Sequence, residues 1–476
     1  MTRTDRNDVP RPDAQLHFGV FFQGVNHWTI WTEPGSGSQI APESYRAVAQ
    51  TAERGLFDAF FLGEGLRLRE INGKVHDLDV AGRPDAITQL SALAAVTTRI
   101  GLVSTSNVTY NEPADLARRF GGLDLLSRGR AGWNVVTTDN AWTGENFRRG
   151  GYLDHADRYR RAEQVLGAAR AIWDSWADDA AARSTDAAAW AREGSIAPVT
   201  YRGDLVDIEV TGSLPRSRQG HPVIFQAGDS SEGRDFAARN ADVIFSAHGY
   251  EFDDALAFAE DIRRRLAVAG RPADALRILP GSSIIVGDTE SEAEEKARWV
   301  REQQITPGTA LAQATLLWNV DLSGYDPDGP LPDVEPQEQD NSGAFGAARR
   351  PDSRATVAQW RDAAAAHGWS LRQTVIELGQ RARSHVGTPA GLAEKFARFV
   401  REGAIDGFNL SPYLVPDGLD DVVDSLIPAL QERGLYRTEY TGTTLREHLQ
   451  LPPARAGLGV PPAAQFDREA SPVAQK

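Results

Sequence analysis

The sequence predicts an α/β fold, a single (β/α)8 TIM barrel, and three observations carry that reading. From residue 16 onward short β-rich runs alternate with helical patterns, the signature of a parallel sheet crossed by helices. Eight strand candidates can be marked, most with a helix behind them, and eight is the number that closes a barrel. The chain is 476 residues long, which suits a barrel because barrels run long as one domain and grow by loop insertion.

The elements follow in order. Leu16 to Gly24 (LHFGVFFQG) is the first strand, and the next helix opens at Pro42 and ends at Gly55. Phe57 to Gly63 is the second strand, and Pro84 opens the helix after it. Arg99 to Val108 is the third, followed by a helix from Pro113 to Leu126; Arg130 to Thr138 is the fourth, followed by a long helix from about Asp154 to Trp176. The rhythm then breaks. Ile196 to Gln219 alternates apolar and polar residues and reads as an inserted β-hairpin. Strands resume at Pro222 to Gly228, Asp242 to Ala247 and Leu279 to Gly287, and the last is Asp406 to Pro412, which leads into the helix before Gly434.

Residues from about Asp321 to Pro351 are rich in Pro, Gly, Asp and Glu, and a loop that long inside a compact domain is functional or disordered. It precedes the last strand, so a mobile lid is expected there. The expected organisation is therefore a flexible N-terminus at 1–15, one barrel domain at 16–451 with insertions at about 177–220 and 320–385, and a flexible tail at 452–476.

Composition removes several function classes. The sequence contains no cysteine, so disulfides, thiolate metal sites and cysteine nucleophiles are excluded. Its net charge is −15 with no basic stripe, which argues against nucleic-acid or anionic-membrane partners. The polar N-terminus and the lack of any run of 18 apolar residues point to a cytoplasmic protein. No metal-ligand motif, GxGxxG fingerprint or P-loop is present, so no metal is expected.

Barrels do their chemistry at the C-terminal ends of the strands. Those positions hold Gln23, Asn26 and His27, then Glu64, then Ser104, Thr105 and Asn107, then Asn134, Thr137 and Thr138, then Asp229, Ser230 and Ser231, and finally His248. The set is neutral and rich in hydrogen-bonding groups, which suits a flat heteroaromatic ligand better than a metal. Glu64 is the one carboxylate well placed at a strand end. In QAGDSSEGR a strand enters a turn and then a helix, with Asp229 and Glu232 spaced as a capping box. The backbone N–H groups beyond Asp229 would form an anion site, although the Asp229 charge opposes a phosphate. His155 and Tyr159 lie four residues apart and share a helix face. Trp28, Trp31, Trp133 and Trp142 neighbour strand ends and would suit a planar or hydrophobic substrate.

Several long stretches together carry a family likeness. TYNEPADLARRFGGLDLLSRGRAGWNVVTT (Thr109 to Thr138), HADRYRRAEQVLGAARAIWDSW (His155 to Trp176), VIFQAGDSSEGRDFAA (Val223 to Ala238) and the ending from Asp406 to Leu449 resemble, in the same order, the luciferase-like flavin monooxygenases of the nitrilotriacetate and dibenzothiophene-sulfone group. The resemblance implies a luciferase-like barrel that uses reduced FMN as co-substrate. A separate NAD(P)H-dependent flavin reductase supplies it, and a flavin peroxide formed with O2 oxidises a small organic substrate.

Carried over residue by residue, the resemblance places FMN contacts at Asp58, Thr105 or its neighbour Ser104, Asn134, His155, Tyr159, Ser230 and Ser231. It makes His27 the candidate for substrate binding or proton transfer. The family usually shows a small residue where Asp229 stands and an arginine where Thr32 stands. A homodimer or homotetramer is expected by the same likeness. The rival reading keeps the fold and exchanges the cofactor for a deazaflavin that transfers hydride without oxygen.

Overall fold

A computed structural model of the chain describes residues 11, 13–26, 28–30, 32–71, 74–76, 81–138, 141–147, 155–180, 190–337, 352–379 and 384–454. Its frame is a ring of parallel strands. The order runs β1 (His17–Phe22), β2 (Ala59–Leu62), β3 (Gly101–Asn107), β4 (Ala131–Val136), β5 (Val223–Gln226) and β6 (Val243–Ile244), each paired with the next. The seventh stave comes in two pieces, β7 (Arg277–Ile278) and β8 (Gly281–Val286), interrupted at Pro280, which has no N–H to give to a ladder. β7 pairs with β6, and the start of β8 pairs with β10 (Gly407–Leu410), which pairs back onto β1. Backbone bonds from Leu279 N to Ile244 O and from Asn409 N to Pro280 O, both 2.9 Å, carry the closure across the break. The ring is the (β/α)8 barrel that the strand count predicts.

Strands such as AFFL and VIFQ are buried along their whole length, as parallel strands covered on both faces must be. Outward residues (Phe18, Val20, Leu102, Trp133, Ile224, Ile244) pack under the helices, while inward ones (Ala59, Phe61, Val103, Val223, Phe225, Val243, Leu279) fill the barrel. The helices begin where local chemistry starts them. Pro42 opens α1 (Pro42–Arg54). In α2 (Ala86–Ala94) the cap is Asp85, which accepts from Thr88 N, so Pro84 stands outside the helix it was expected to open. Pro113 opens α3 (Pro113–Leu126). The long helix α4 (His155–Trp173) follows β4, and the expected hairpin follows α4 as Val199–Arg202 paired antiparallel with Asp207–Val210. Behind β5 and β6 lie α5 (Ser231–Asn240) and α6 (Phe252–Val268).

The insertion before the last strand holds more structure than a loop. β8 runs past the barrel and pairs with β9 (Ser384–Gly387). Between them lie α7 (Glu290–Gln304), α8 (Pro307–Trp318), α9 (Ser353–His367) and α10 (Leu371–Leu378). The last three close over a small core of their own around Trp318, Trp360, Leu371 and Val375. Residues 321–337 turn back against it, with Gln337 N donating to Trp318 O at 2.9 Å. The remainder of the expected lid, 338–351, lies outside the described residues. After β9 comes α11 (Pro389–Arg401), opened by Pro389 and capped by Thr388.

The bottom of the barrel is plugged by the chain's own end. Helix α12 (Ile427–Glu432) leads to a final turn, α13 (Leu445–His448), and Leu445, Leu449 and Leu451 join the inward cluster with Phe61, Val103 and Phe225. Gly101 is needed there, because a Cβ on it would fall 2.8 Å from the backbone O of Asp58 and press on Leu445. Leu445→Ala would open a cavity under the barrel, and we expect it to cost about 2–5 kcal/mol in chemical denaturation. A loss under ~1 kcal/mol would mean that the plug is not part of the core. No helix among the described residues is long and apolar enough to cross a membrane.

Candidate active site

At the C-terminal mouth, β3 and β4 bring two predicted residues together. Thr105 and Asn134 are register partners, and Asn134 Nδ2 donates to Thr105 Oγ1 at 3.0 Å. Both are buried, and among the described residues Asn134 Oδ1 has no hydrogen-bond partner. Side chains alternate along a strand, so Thr105 shares the inward face with Val103. Ser104 shares the outward face with Leu102 and spends its hydroxyl on Thr105 O at 3.2 Å. Two consecutive strand residues face opposite ways, so of the alternatives Thr105 and Ser104 it is Thr105 that faces inward at the mouth.

One strand further along, α5 presents its N-terminus. The helix is capped by Ser230, whose hydroxyl accepts from Gly233 N at 3.1 Å. Asp229 is therefore not the cap that its spacing from Glu232 suggests. It lies one residue too early, and its Oδ2 accepts from Ala247 N at 3.0 Å, tying the turn to the end of β6. The first intrahelical bond runs from Arg234 N to Ser230 O at 2.9 Å, so the N–H groups of Ser231 and Glu232 have no partner within the helix. Ser231 Oγ accepts from Arg265 Nη2 at 3.3 Å.

Tyr159 of α4 completes this corner. Its ring lies 6.0 Å from Phe236, and a Cβ on Gly233 would sit 3.0 Å from its hydroxyl and 2.9 Å from Gly228 O. Glycine at 233 keeps the tyrosine and the turn against the helix start. His155 begins the same helix, and its side chain lies outside the described residues.

On the opposite wall, Gln23 Nε2 donates to Ser411 Oγ at 3.1 Å, and Asn26 Oδ1 accepts from Trp28 N at 2.8 Å and Thr29 N at 3.1 Å. That turn organises the loop beyond β1. His27 and Trp31, which the sequence also marks, lie outside the described residues. A cavity of ≈ 320 Å³ opens here, lined by Phe21, Gln23, Trp28, Tyr250, Ser283 and Ser411 among others. At the end of β2, Glu64 Oε2 accepts from Asn107 N at 3.0 Å, and burial pushes its acid up to about 8. Among the described residues no group of three or more His, Asp or Glu side chains could hold a metal.

Asp58 does not belong to this site. It precedes β2 at the other end of the barrel, fully buried, where it accepts from Phe18 N at 2.9 Å, lies 3.1 Å from His17 Nδ1 and pairs with Arg437. Burial opposes its charge, but Arg437 and His17 prevail and hold its carboxyl down at about 2. No pattern in the sequence marks Arg437, from the C-terminal segment, as the partner delivered to this spot.

Known proteins resemble this chain over most of its length. Residues 16–406 match the family described as luciferase-like monooxygenase. The chain is 36% identical to N-acetyl-S-(2-succino)cysteine monooxygenase of Bacillus subtilis (strain 168) and 37% identical to nitrilotriacetate monooxygenase component A of Aminobacter aminovorans. Each alignment covers 92% of this chain and 97% of the relative. A crystal structure of riboflavin lyase with modified FMN and riboflavin superposes with a TM-score of 0.73 at 29% identity, covering 91% of this chain and 95% of that one.

Proposed function

The chain belongs to the luciferase-like monooxygenase family, and from that membership we propose that it is the oxygenating half of a two-component enzyme. It takes reduced FMN from a separate flavin reductase and inserts one atom of O2 into a small organic substrate at the barrel mouth. The observation that carries the flavin reading is Asn134 Oδ1, a buried acceptor without a donor among the described residues, on the inward face beside Thr105. Buried polar atoms are almost always paired, and a heteroaromatic ring with N–H donors would pair this one. Thr105 and Asn134 would meet the ring system. Ser230, Tyr159 and the N–H groups of Ser231 and Glu232 would hold the phosphate, with His155 and the Ser231 hydroxyl adjoining. Bound there, the flavin supplies the activation of O2, chemistry that no side chain present can perform.

The protein's own residues do the rest. The free N–H groups at the start of α5 face an anion with the positive end of the helix dipole. Asp229, the acidic residue at this corner, is turned towards Ala247 N, which lessens its conflict with a phosphate. Phe21, Phe22 and Trp28 make the mouth dry on the β1 side, as a water-sensitive reaction requires. Burial favours a proton on the Glu64 carboxyl, and His27 is the second group proposed to hold or pass one.

The test is a coupled assay with NADH, FMN, a flavin reductase and isotopically labelled O2 over a panel of small organic acids, amines and thioethers. The expected product carries one labelled oxygen atom. Oxidation without label, or hydride transfer in the absence of O2, would favour the deazaflavin alternative and reject this reading.

A further inference from the structure

Beside the barrel mouth lies a second and larger chamber of ≈ 1040 Å³, roofed by the insertion. Its walls come from α7 (Ala297, Val300, Arg301, Gln304), the end of α10 (Glu377, Leu378, Gly379), β9 and Lys395 of α11. Trp28 and Tyr250 line both cavities, so the two adjoin through these aromatic side chains. The α7 residues recur at helical spacing and make one face. Gln304 Nε2 on that face donates to Trp28 O at 2.5 Å, and Thr32 Oγ1 donates to Gln303 at 3.0 Å. The helix is thus anchored to the loop that leaves β1.

Arg301 is the anomaly on this wall. Its Nε is buried with no hydrogen-bond partner, and among the described residues no carboxylate lies within ion-pair distance of its guanidinium. Other arginines of the fold have acceptors: Arg216, Arg234, Arg265, Arg437 and Arg446 hold carboxylates, although Arg446 also leaves its Nε unpartnered, and Arg130 and Arg271 hold backbone carbonyls. A half-buried guanidinium without an acceptor is costly, and its planar fork matches a carboxylate. The other charges narrow the choice. Burial pushes the Lys395 ammonium down against the pull of Glu251, and Glu377 stands on the same chamber wall. A polyanion would meet Glu377 and Glu251, whereas a single carboxylate can be met by Arg301, whose Nε is buried and unpartnered among the described residues.

We propose that this chamber is the substrate's, and that Arg301 binds the carboxylate of an organic acid bearing one such group while the oxidisable part reaches past Trp28 and Tyr250 to the barrel mouth. Arg301 is then a specificity residue and takes no part in the chemistry. The inference rests on the monooxygenase reading for what happens at the mouth, but the binding it asserts does not need the flavin.

The test uses the full chain without flavin and matched pairs of monocarboxylic acids and their amides, with aliphatic, aromatic and thioether side chains (N-acetylmethionine and its amide among them), read by tryptophan fluorescence. At least one acid is expected to bind about tenfold or more tighter than its amide, as a charge-assisted pair supplies. Arg301→Gln should erase that preference and Arg301→Lys keep part of it. No acid preferred over its amide, or a preference that survives in Arg301→Gln, overturns the proposal. A parallel titration with reduced FMN separates the two claims. Flavin binding without acid preference removes this inference alone, whereas failure to bind flavin removes the monooxygenase reading and leaves the acid result to stand or fall by itself.

Discussion

Replacing Asp58 with alanine is expected to destabilise the protein by about 3–5 kcal/mol, the cost of leaving a buried partner charge uncompensated. The carboxylate is fully buried under the barrel, and its loss strands Arg437, His17 and the N–H of Phe18 together. Arg437 belongs to the C-terminal segment, so this one contact joins β1, β2 and the end of the chain. The ion cluster also sets an acid limit. The folded-state acid of Asp58 lies at about 2, below its ordinary value of 3.8. Its contribution is therefore complete above the unfolded value and is lost as pH falls through the folded one. The parent should lose stability steeply over that acid window, and Asp58→Ala should show a flatter limb from a lower start. Chemical denaturation at a series of pH values measures both. Asp58→Asn, where it remains folded, should bind reduced FMN as the parent does. A large loss of flavin affinity in that variant would restore Asp58 to the cofactor site and contradict its placement at the barrel bottom.

The second large effect concerns the mouth. Asn134→Ala combined with Ser230→Ala should weaken reduced-FMN binding by roughly 100-fold, since each substitution removes about one strong hydrogen bond to the ligand. Asn134→Ala removes the unpartnered acceptor, and Ser230→Ala removes a hydroxyl at the helix start together with the α5 cap. The cap alone is worth about 1 kcal/mol of stability, so the fold should survive and the comparison remain clean. Ser104→Ala is the matched control, because its hydroxyl faces away from the mouth, and it should leave the affinity unchanged. If Ser104→Ala weakens binding as much as the double variant does, the inward and outward assignment of β3 is wrong.

Much of the barrel was legible in the residues because barrel strands are buried on both faces and helix starts carry their own chemistry. Pro42 and Pro113 stand at the first position of the helices they announce. The alternation in TYRGDLVDIEV became a hairpin. What failed to show depends on contacts distant in sequence or on a one-residue choice. Ser104 and Thr105 are equally polar, and only the strand's facing separates them. Asp229 and Ser230 are both good caps, and the choice fell to Ser230 once Ala247 N engaged the aspartate. Asp58 is marked by the family resemblance alone, and its partner Arg437 arrives from the chain's last fifty residues. Arg301 drew no notice because an arginine on an exposed-looking helix is usually solvated. The signal that could have found it was its spacing with Ala297, Val300 and Gln304 on one face.

The most direct measurement is an anaerobic fluorescence titration of the purified protein with reduced FMN, repeated with oxidised FMN. Saturable binding of the reduced form, clearly tighter than that of the oxidised form, is expected of a protein that is handed its flavin already reduced, as proposed above. Failure to bind either form, with tight binding of a reduced deazaflavin in their place, would contradict that proposal.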